Sequence, residues 1–398
     1  MSSSSSQPLA GRRLWIAGIG GAGMSAYALL AHAWGAEVAG WDRNETPFLA
    51  HLGGIDVTVS EEPPSPPAGW EVFVSTAYAG QVQGSPRAAL LAELVALRRS
   101  IVVAGAHGKT TTSAMIAFCL DRLGADPAFL VGGEIPQLGG NAGAGSGWLV
   151  VEGDESDGTV ASLRPEIGVL LNVDLDVHHA NVGTRAGLER MFEEWLAHVP
   201  KAVRAEELEP VPFELAVPGE HNRRNAAAAI AALELAGIER ADSERVIREF
   251  RGAGRRLEPK GEAGGVRVLD SYAHHPAELT ADLAALTGDG RVLALFQPHL
   301  YSRTRHLVHG FAVALATADA ACVTEIYPAR EAPIPGVTGR AIVDELAALR
   351  PGMRLGWAPD PEDAARIVAG WARPGDVVVT LGAGNVDRVA PRLLELLA

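Results

Sequence analysis

Two glycine-bearing turns carry residue types that hold phosphate. The first, Gly18-Ile19-Gly20-Gly21-Ala22-Gly23, follows an apolar run and opens a helical stretch. Glycines at this spacing let backbone N–H groups close on a diphosphate at a helix N-terminus. Asp42 lies 19 residues after Gly23, at the end of the next strand-like run, where it could accept from a ribose hydroxyl. Gly18, Gly20, Gly23 and Asp42 therefore form a candidate nucleotide-diphosphate site, which a UDP-sugar satisfies as well as NAD. The second turn is Gly105-Ala106-His107-Gly108-Lys109-Thr110-Thr111. It sits between the strand-like Ile101–Ala104 and a helix, which is the order a phosphate loop needs. Lys109 would meet the β- and γ-phosphates of ATP, and Thr110 would hold Mg2+. Val103 stands where the first glycine of the common G-x-x-x-x-G-K-[ST] spacing falls, so the loop is a compact variant.

Acidic and imidazole groups follow two further strand ends. Glu152-Gly153-Asp154-Glu155-Ser156-Asp157 puts four carboxylates in six residues. They repel one another unless cations neutralise them. In extended chain Glu152 and Asp154 point the same way and offer hard oxygen donors to Mg2+. Asn172-Val173-Asp174-Leu175-Asp176-Val177-His178-His179 could add a histidine to a second metal, or could be a surface histidine pair. His221-Asn222-Arg223-Arg224-Asn225 precedes an alanine-rich helix. Asn222 there is either an N-cap or, with Asn225, a reader of an adenine edge.

The last third of the chain holds a different set. Arg255-Arg256 opens it. Asp270-Ser271-Tyr272-Ala273-His274-His275-Pro276 leaves one strand-like run, and Gln297-Pro298-His299-Leu300-Tyr301-Ser302-Arg303 leaves another. Two strand ends rich in His, Asp and Arg at one rim point to a small-molecule site.

The elements that must position these groups are legible as an alternation of short β-branched runs with Ala/Leu-rich helices. That alternation predicts α/β architecture with parallel sheets, whose ligands gather at the carboxyl ends of strands. Three blocks result, with boundaries near residue 100 and just after Gly252 or Gly254. Expected strands include Leu14–Ala17, Val38–Trp41, Val72–Ser75, Ile101–Ala104, Trp148–Val151, Ile167–Asn172, Val266–Asp270, Val292–Phe296, Ala321–Ile326 and Val377–Leu381. Residues 200–217 read as irregular.

Composition sets the outer limits. The 398 residues are 47% hydrophobic and 21% charged, with 45 Gly and 25 Pro, as expected of a globular chain with many tight turns. The formal charge of −14 opposes nucleic acid and anionic lipid, so phosphate must be met by local cations and backbone N–H groups. The uncharged run Leu14–Ala36 follows Arg12-Arg13 and imitates a leader or a span. Its clustered glycines make strand, turn and helix the better reading, with no membrane insertion. Cys119 and Cys322 are far apart in apolar stretches and read as reduced core thiols.

Taken together, the segments GIGGAGMS (18–25), GAHGKTTT (105–112), GDESD (153–157), PGEHNRRNAAAA (218–229), GRRLEPKG (254–261), DSYAHHP (270–276), FQPHLYSR (296–303) and IYPAREAPIPGV (326–337) resemble the Mur ligase family, and within it the alanine-adding branch. The resemblance implies a three-domain cytoplasmic enzyme of peptidoglycan precursor synthesis. Its domains would be a UDP-sugar-binding Rossmann-like domain at 11–100, a shortened ATP-binding P-loop domain at 101–252 and a Rossmann-like amino-acid domain at 253–398. ATP, with Mg2+, would convert the carboxylate of UDP-N-acetylmuramate to an acyl phosphate that L-alanine attacks. Lys109, Asp270, His274 and Arg303 would be catalytic, with His274 or Asp270 as base. Gly105 to Thr111, Asn222 and Asn225 would bind ATP, and Arg255, Arg256, Tyr272 and His299 would hold substrate. Thr110, Glu152 and His178 would hold metal. Ala106, Ser271, Asp174 and Asn385 stand where the family pattern has Thr, Asp, Glu and Asp. The stretch from Phe192 to Pro218 is several tens of residues short, and the one from Tyr78 to Ser100 looks trimmed too. Three other readings compete: a nicotinamide dehydrogenase, which would leave the second loop idle, a nucleotide-binding regulator without turnover, and a ligase that acts on a different carboxylate or amino acid.

Overall fold

The computed structural model describes residues 7–155, 158–174, 184–288, 290–329 and 331–398. The chain packs as two compact units, one formed by the chain up to Glu214 together with Arg224–Phe250, the other by Leu215–Arg223 and Arg251–Ala398.

The first unit contains two sheets. β1 (Arg13–Ala17), β2 (Glu37–Asp42), β3 (Asp56–Val59), β4 (Glu71–Val74) and β5 (Ser85–Pro86) are all parallel, in the order β3-β2-β1-β4-β5. Helices α1 (Ala22–Ala33) and α2 (Arg87–Ala96) belong to this part. The second sheet is built from β6 (Ser100–Ala104), β7 (Ala128–Ile135), β8 (Gly140–Ala144), β9 (Leu149–Glu152), β10 (Ile167–Leu170) and β11 (Lys201–Arg204). Its order is β11-β10-β6-β9-β7-β8, with the β7–β8 pair antiparallel. The central strand β6 is buried at every residue, which is why it reads as Ser-Ile-Val-Val-Ala without alternation. Helices α3 (Lys109–Arg122) and α4 (Arg185–Leu196) follow, then α5 (Glu220–Leu235), which belongs to this unit from Arg224 on, and α6 (Arg240–Ile247). One apolar cluster runs through both sheets of this unit, from Leu14, Ile16 and Leu90 to Leu130, Val151 and Phe192.

The second unit has a six-stranded sheet. β12 (Glu258–Ala263), β13 (Val266–Ser271), β14 (Val292–Phe296), β15 (Ala320–Val323), β16 (Arg354–Trp357) and β17 (Val377–Leu381) lie in the order β12-β13-β17-β14-β15-β16, and only β12 is antiparallel. α7 (Pro276–Ala285), α8 (Tyr301–Leu315) and α9 (Arg340–Leu349) send Leu283, Phe311 and Leu346 into one apolar cluster. α10 (Pro361–Ala369) and α11 (Ala390–Leu397) send Val368 and Leu393 into another. A helical layer on each face is what a nearly all-parallel sheet requires.

The sequence reading and the structure part in identifiable places. Residues 201–204 form a strand rather than irregular chain, pairing in parallel with β10. Only Val203 in Lys-Ala-Val-Arg is buried, so this edge strand carries no apolar period to read. The alanine-rich helix starts at Glu220 and not at Asn225, so Asn222 lies in its first turn and is not its N-cap. Both cysteines are buried, and burial pushes each thiol up to about 12. Among the described residues no helix is long and apolar enough to cross a membrane.

Candidate active site

The first glycine loop is built by continuing the β1–β2 ladder past its end. Gly18 takes φ +84°, and the N–H groups of Gly18 and Ile19 both donate to the Trp41 carbonyl at 2.7 and 3.2 Å. Glycine adopts this left-handed backbone at no steric cost. The Gly20 N–H donates to Asp42 Oδ2 at 2.9 Å, and Tyr78 Oη donates to Asp42 Oδ1 at 3.1 Å. Asp42 is buried, with both oxygens engaged. The expected ribose contact thus meets a carboxylate that shapes the loop. The start of α1 has no side-chain cap and no acidic residue in its first turn, which leaves its dipole open to an anion.

In the second loop Gly108 caps α3 with φ +85°, and a Cβ on it would stand 2.5 Å from Asn225 Oδ1. Any side chain at 108 therefore collides with Asn225 as well as straining the backbone. Asn225 packs on the phosphate loop itself. The loop is pinned from the other side by Asn172, whose amide accepts from the His107 N–H and donates to the His107 carbonyl, both at 2.9 Å. Lys109 Nζ donates to the Gly105 carbonyl at 2.6 Å and to both oxygens of Glu155 at 3.0 and 2.9 Å. Thr110 Oγ1 is 3.1 Å from Glu152 Oε2, and Glu152 Oε1 accepts from the Gly132 N–H at 2.6 Å. Ala106 and Thr111 lie in the same loop and first turn.

The acidic run after β9 is thereby divided by function. Glu152 meets Thr110, Asp154 pairs with Arg87 at 2.8 Å, and Glu155 meets Lys109. His178, expected as a metal ligand, lies outside the described residues, as do His179 and Asp157. Among the described residues no three His, Cys, Asp or Glu side chains group as a metal cage. Asn222, in the second unit, is buried and donates to the Pro218 carbonyl at 2.6 Å.

The second unit places its functional groups at the carboxyl ends of β13, β14 and β17. Asp270, fully buried, accepts from Arg255 Nε at 2.9 Å and from Thr380 Oγ1 at 2.5 Å. Arg255 also donates to the Gly384 and Gly382 carbonyls at 3.0 and 2.6 Å. Its φ of +57° is a strained setting for a residue with a Cβ, held by that fixed side chain. Burial raises the Asp270 carboxyl, and Arg255 and Thr380 pull it back. With both oxygens occupied, Asp270 is arranged to fix Arg255 rather than to take a proton. Tyr272 lies under both guanidinium groups, 5.3 Å from Arg255 and 5.6 Å from Arg256.

His274 sits beyond Tyr272. Its Nδ1 is 2.9 Å from the Tyr272 carbonyl, and its ring is 5.9 Å from that of His299. His299 stacks on Tyr327 and lies 3.3 Å from Arg303 Nη1, and Arg303 is buried. Glu278, three residues into α7, accepts from the N–H groups of His274 and His275 and pairs at 3.8 Å with Arg256. Ser271 donates to Asp282 of α7, so a carboxylate reaches this strand end from the helix. Glu278, Asp282 and Tyr327 do not figure among the site residues expected from sequence, and Glu155 and Asn172 appear there only as members of their motifs, without a role of their own. The acid groups of α7 lack a motif, because their role follows from helix packing and not from spacing.

Burial, opposed by Glu278 and reinforced by Arg303, lowers His274 to about 4. The ring is therefore neutral at physiological pH and ready to accept a hydrogen bond. A histidine depressed when folded binds fewer protons than in the unfolded chain. Folding stability at this residue is thus present above pH 6.5 and drains away as the pH falls towards 4, by up to ~3 kcal/mol. His274→Gln should flatten the melting temperature between pH 6.5 and 4.5 relative to the parent. Parallel profiles for the two proteins would contradict the neutral assignment.

A phosphate loop with lysine, threonine and a facing carboxylate, plus an Arg/His rim on a separate Rossmann-like sheet, defines the class of ATP-dependent ligases of the Mur type. A family model described as Mur ligase, glutamate ligase domain matches residues 255–384. The UDP-N-acetylmuramate–L-alanine ligase of Streptomyces avermitilis is 37% identical, covering 98% of this chain and 98% of that one. The enzyme of the same name from Kineococcus radiotolerans is 39% identical, covering 97% and 96%. The chain belongs to the UDP-N-acetylmuramate–L-alanine ligase family. The crystal structure of such a ligase from Thermotoga maritima shares the fold at TM-score 0.78 and 24% identity, covering 96% of this chain and 98% of that one. The Streptomyces alignment runs over 460 positions, 62 more than the 398 residues here, so relatives carry segments this chain lacks.

Proposed function

We propose that this enzyme joins L-alanine to the carboxylate of UDP-N-acetylmuramate at the expense of ATP, in the cytoplasm, as a step of peptidoglycan precursor synthesis. The observation that carries it is the Lys109–Thr110–Glu152 arrangement, in a chain whose relatives bear that ligase name. A carboxylate at neutral pH is a poor electrophile, so it must first be phosphorylated. Lys109 and the Gly105–Thr111 N–H groups offset negative charge on the transferring phosphoryl group. Thr110 Oγ1 and a Glu152 oxygen, 3.1 Å apart, are hard donors suited to Mg2+, which keeps few protein ligands and takes the rest from phosphate and water. Bound there, the metal would neutralise phosphate charge. Asn225, on the phosphate loop, reads the adenine. His178 remains a candidate second metal ligand.

Gly18, Gly20 and Gly23 take the UDP diphosphate, with Asp42 holding the loop. Arg255, Arg256 and Arg303 present three cations for carboxylates, with Tyr272 and His299 as walls. Neutral His274 accepts a hydrogen bond from the alanine amine. We assign the domains as 11–100, 101–252 and 253–398.

Phosphate release should require ATP, Mg2+, UDP-N-acetylmuramate and L-alanine together. A panel of amino acids tested one at a time checks it. Turnover preferring the muramoyl-alanine product as acceptor would make this a later-step ligase, and nucleotide binding without turnover would make it a regulator.

A further inference from the structure

The loop that should receive a diphosphate already contains a negative charge. Buried Asp42 accepts from the Gly20 N–H inside that loop. A second anion placed beside it is opposed unless a cation stands near. The cation in place is Arg87, the first residue of α2. Its Nη1 lies 3.8 Å from the point where a side chain on Gly23 would begin, in the first turn of α1. Its Nη2 is 2.8 Å from Asp154 Oδ2. Asp154 is next to Glu155, which meets Lys109, and two residues after Glu152, which meets Thr110. β8 of the second sheet also reaches this turn, where Asn141 Nδ2 donates to the Ala22 carbonyl at 3.3 Å.

We propose that Arg87 binds the anionic part of the UDP-sugar at the start of α1 and, through Asp154, positions the 152–155 segment on which Lys109 and Thr110 depend. The proposal rests on the reading of Gly18–Gly23 as the UDP-sugar loop. Guanidinium chemistry suits the double duty. Its planar fork of five donors can give one edge to Asp154 and another to a phosphate oxygen, whereas a lysine offers a single point charge. Adjacent carboxylates thus link one cation at each phosphate loop.

The test measures UDP-N-acetylmuramate binding to the full chain by calorimetry without ATP, and steady-state kinetics with ATP varied. Arg87→Ala should weaken UDP-sugar binding by about tenfold or more, the scale of one charge-assisted hydrogen bond. Arg87→Lys should fall between it and the parent. Asp154→Asn should keep UDP-sugar affinity within ~3-fold, as for a residue not touching the ligand, while raising KM for ATP by more than that. Melting temperature reports whether each variant folds. If both Arg87 variants bind UDP-sugar as the parent does while Gly20→Ala loses it, Arg87 is only a strut. If Gly20→Ala also binds normally, the loop reading itself fails. An unchanged KM for ATP in Asp154→Asn overturns the positioning half.

Discussion

Lys109→Ala should lower ligation by at least ~100-fold, the loss that follows removal of one well-placed electrostatic group. The ammonium is one of three charges at the loop, with Glu152 and Glu155, and the only cation among them. Its neighbours also set the stability side of the experiment. Glu155 is 5% exposed, and Lys109 meets both of its oxygens. Taking the lysine away deprives a buried carboxylate of its cation, so the single variant should also lose about 1–3 kcal/mol of stability. Adding Glu155→Gln removes the buried charge and should restore most of the melting temperature without restoring rate. That split separates chemistry from folding. A well-folded double variant ligating within a few-fold of the parent would show that Lys109 does not serve phosphoryl transfer, and the ATP-loop assignment would fall with it.

The fold was legible wherever an element is buried on both faces. β14 and β17 have the bounds expected from sequence, because Val-Leu-Ala-Leu-Phe and Val-Val-Val-Thr-Leu leave no other use for their side chains. The edges were not. β3 is mostly exposed and reads Asp-Val-Thr-Val, and β12 reads Glu-Pro-Lys-Gly-Glu-Ala, which propensity alone would send to a loop. Tertiary pairing decides such strands. The two loops were legible for a different reason. Backbone that must wrap phosphate needs glycine at particular places, and Gly108 against Asn225 shows the constraint directly. What spacing could not show is which acid serves which cation. Asp154 was expected to face metal beside Glu152, but it turns to Arg87, because α2 arrives there from 67 residues earlier in the chain. Likewise Asp42 is committed to Gly20 and Tyr78, a use that depends on Tyr78 arriving from the segment after β4.

Arg255→Ala should be the most damaging single change in the second unit. Asp270 has no solvent exposure, and Arg255 Nε is the cation on its Oδ2. The same guanidinium satisfies the Gly382 and Gly384 carbonyls. Breaking a buried pair by removing one member typically costs about 3–5 kcal/mol, since the remaining charge keeps its desolvation penalty without its partner. The pH dependence follows from the direction of the Asp270 shift. Burial already raises this carboxyl and Arg255 opposes that, so its loss drives the folded-state value higher still. A group raised above its unfolded value contributes stability at low pH and loses it as the pH climbs through the folded value. The variant should therefore be damaged less at pH 5 than at pH 8. Adding Asp270→Asn should recover part of the loss at pH 8 and little at pH 5. Ligation should stay depressed in both variants, because the cation presented at the rim is gone. Chemical denaturation at the two pH values decides the matter. A loss under ~1 kcal/mol, equal at both, would mean that Asp270 is solvated or protonated in the parent and that Arg255 is not its counter-ion.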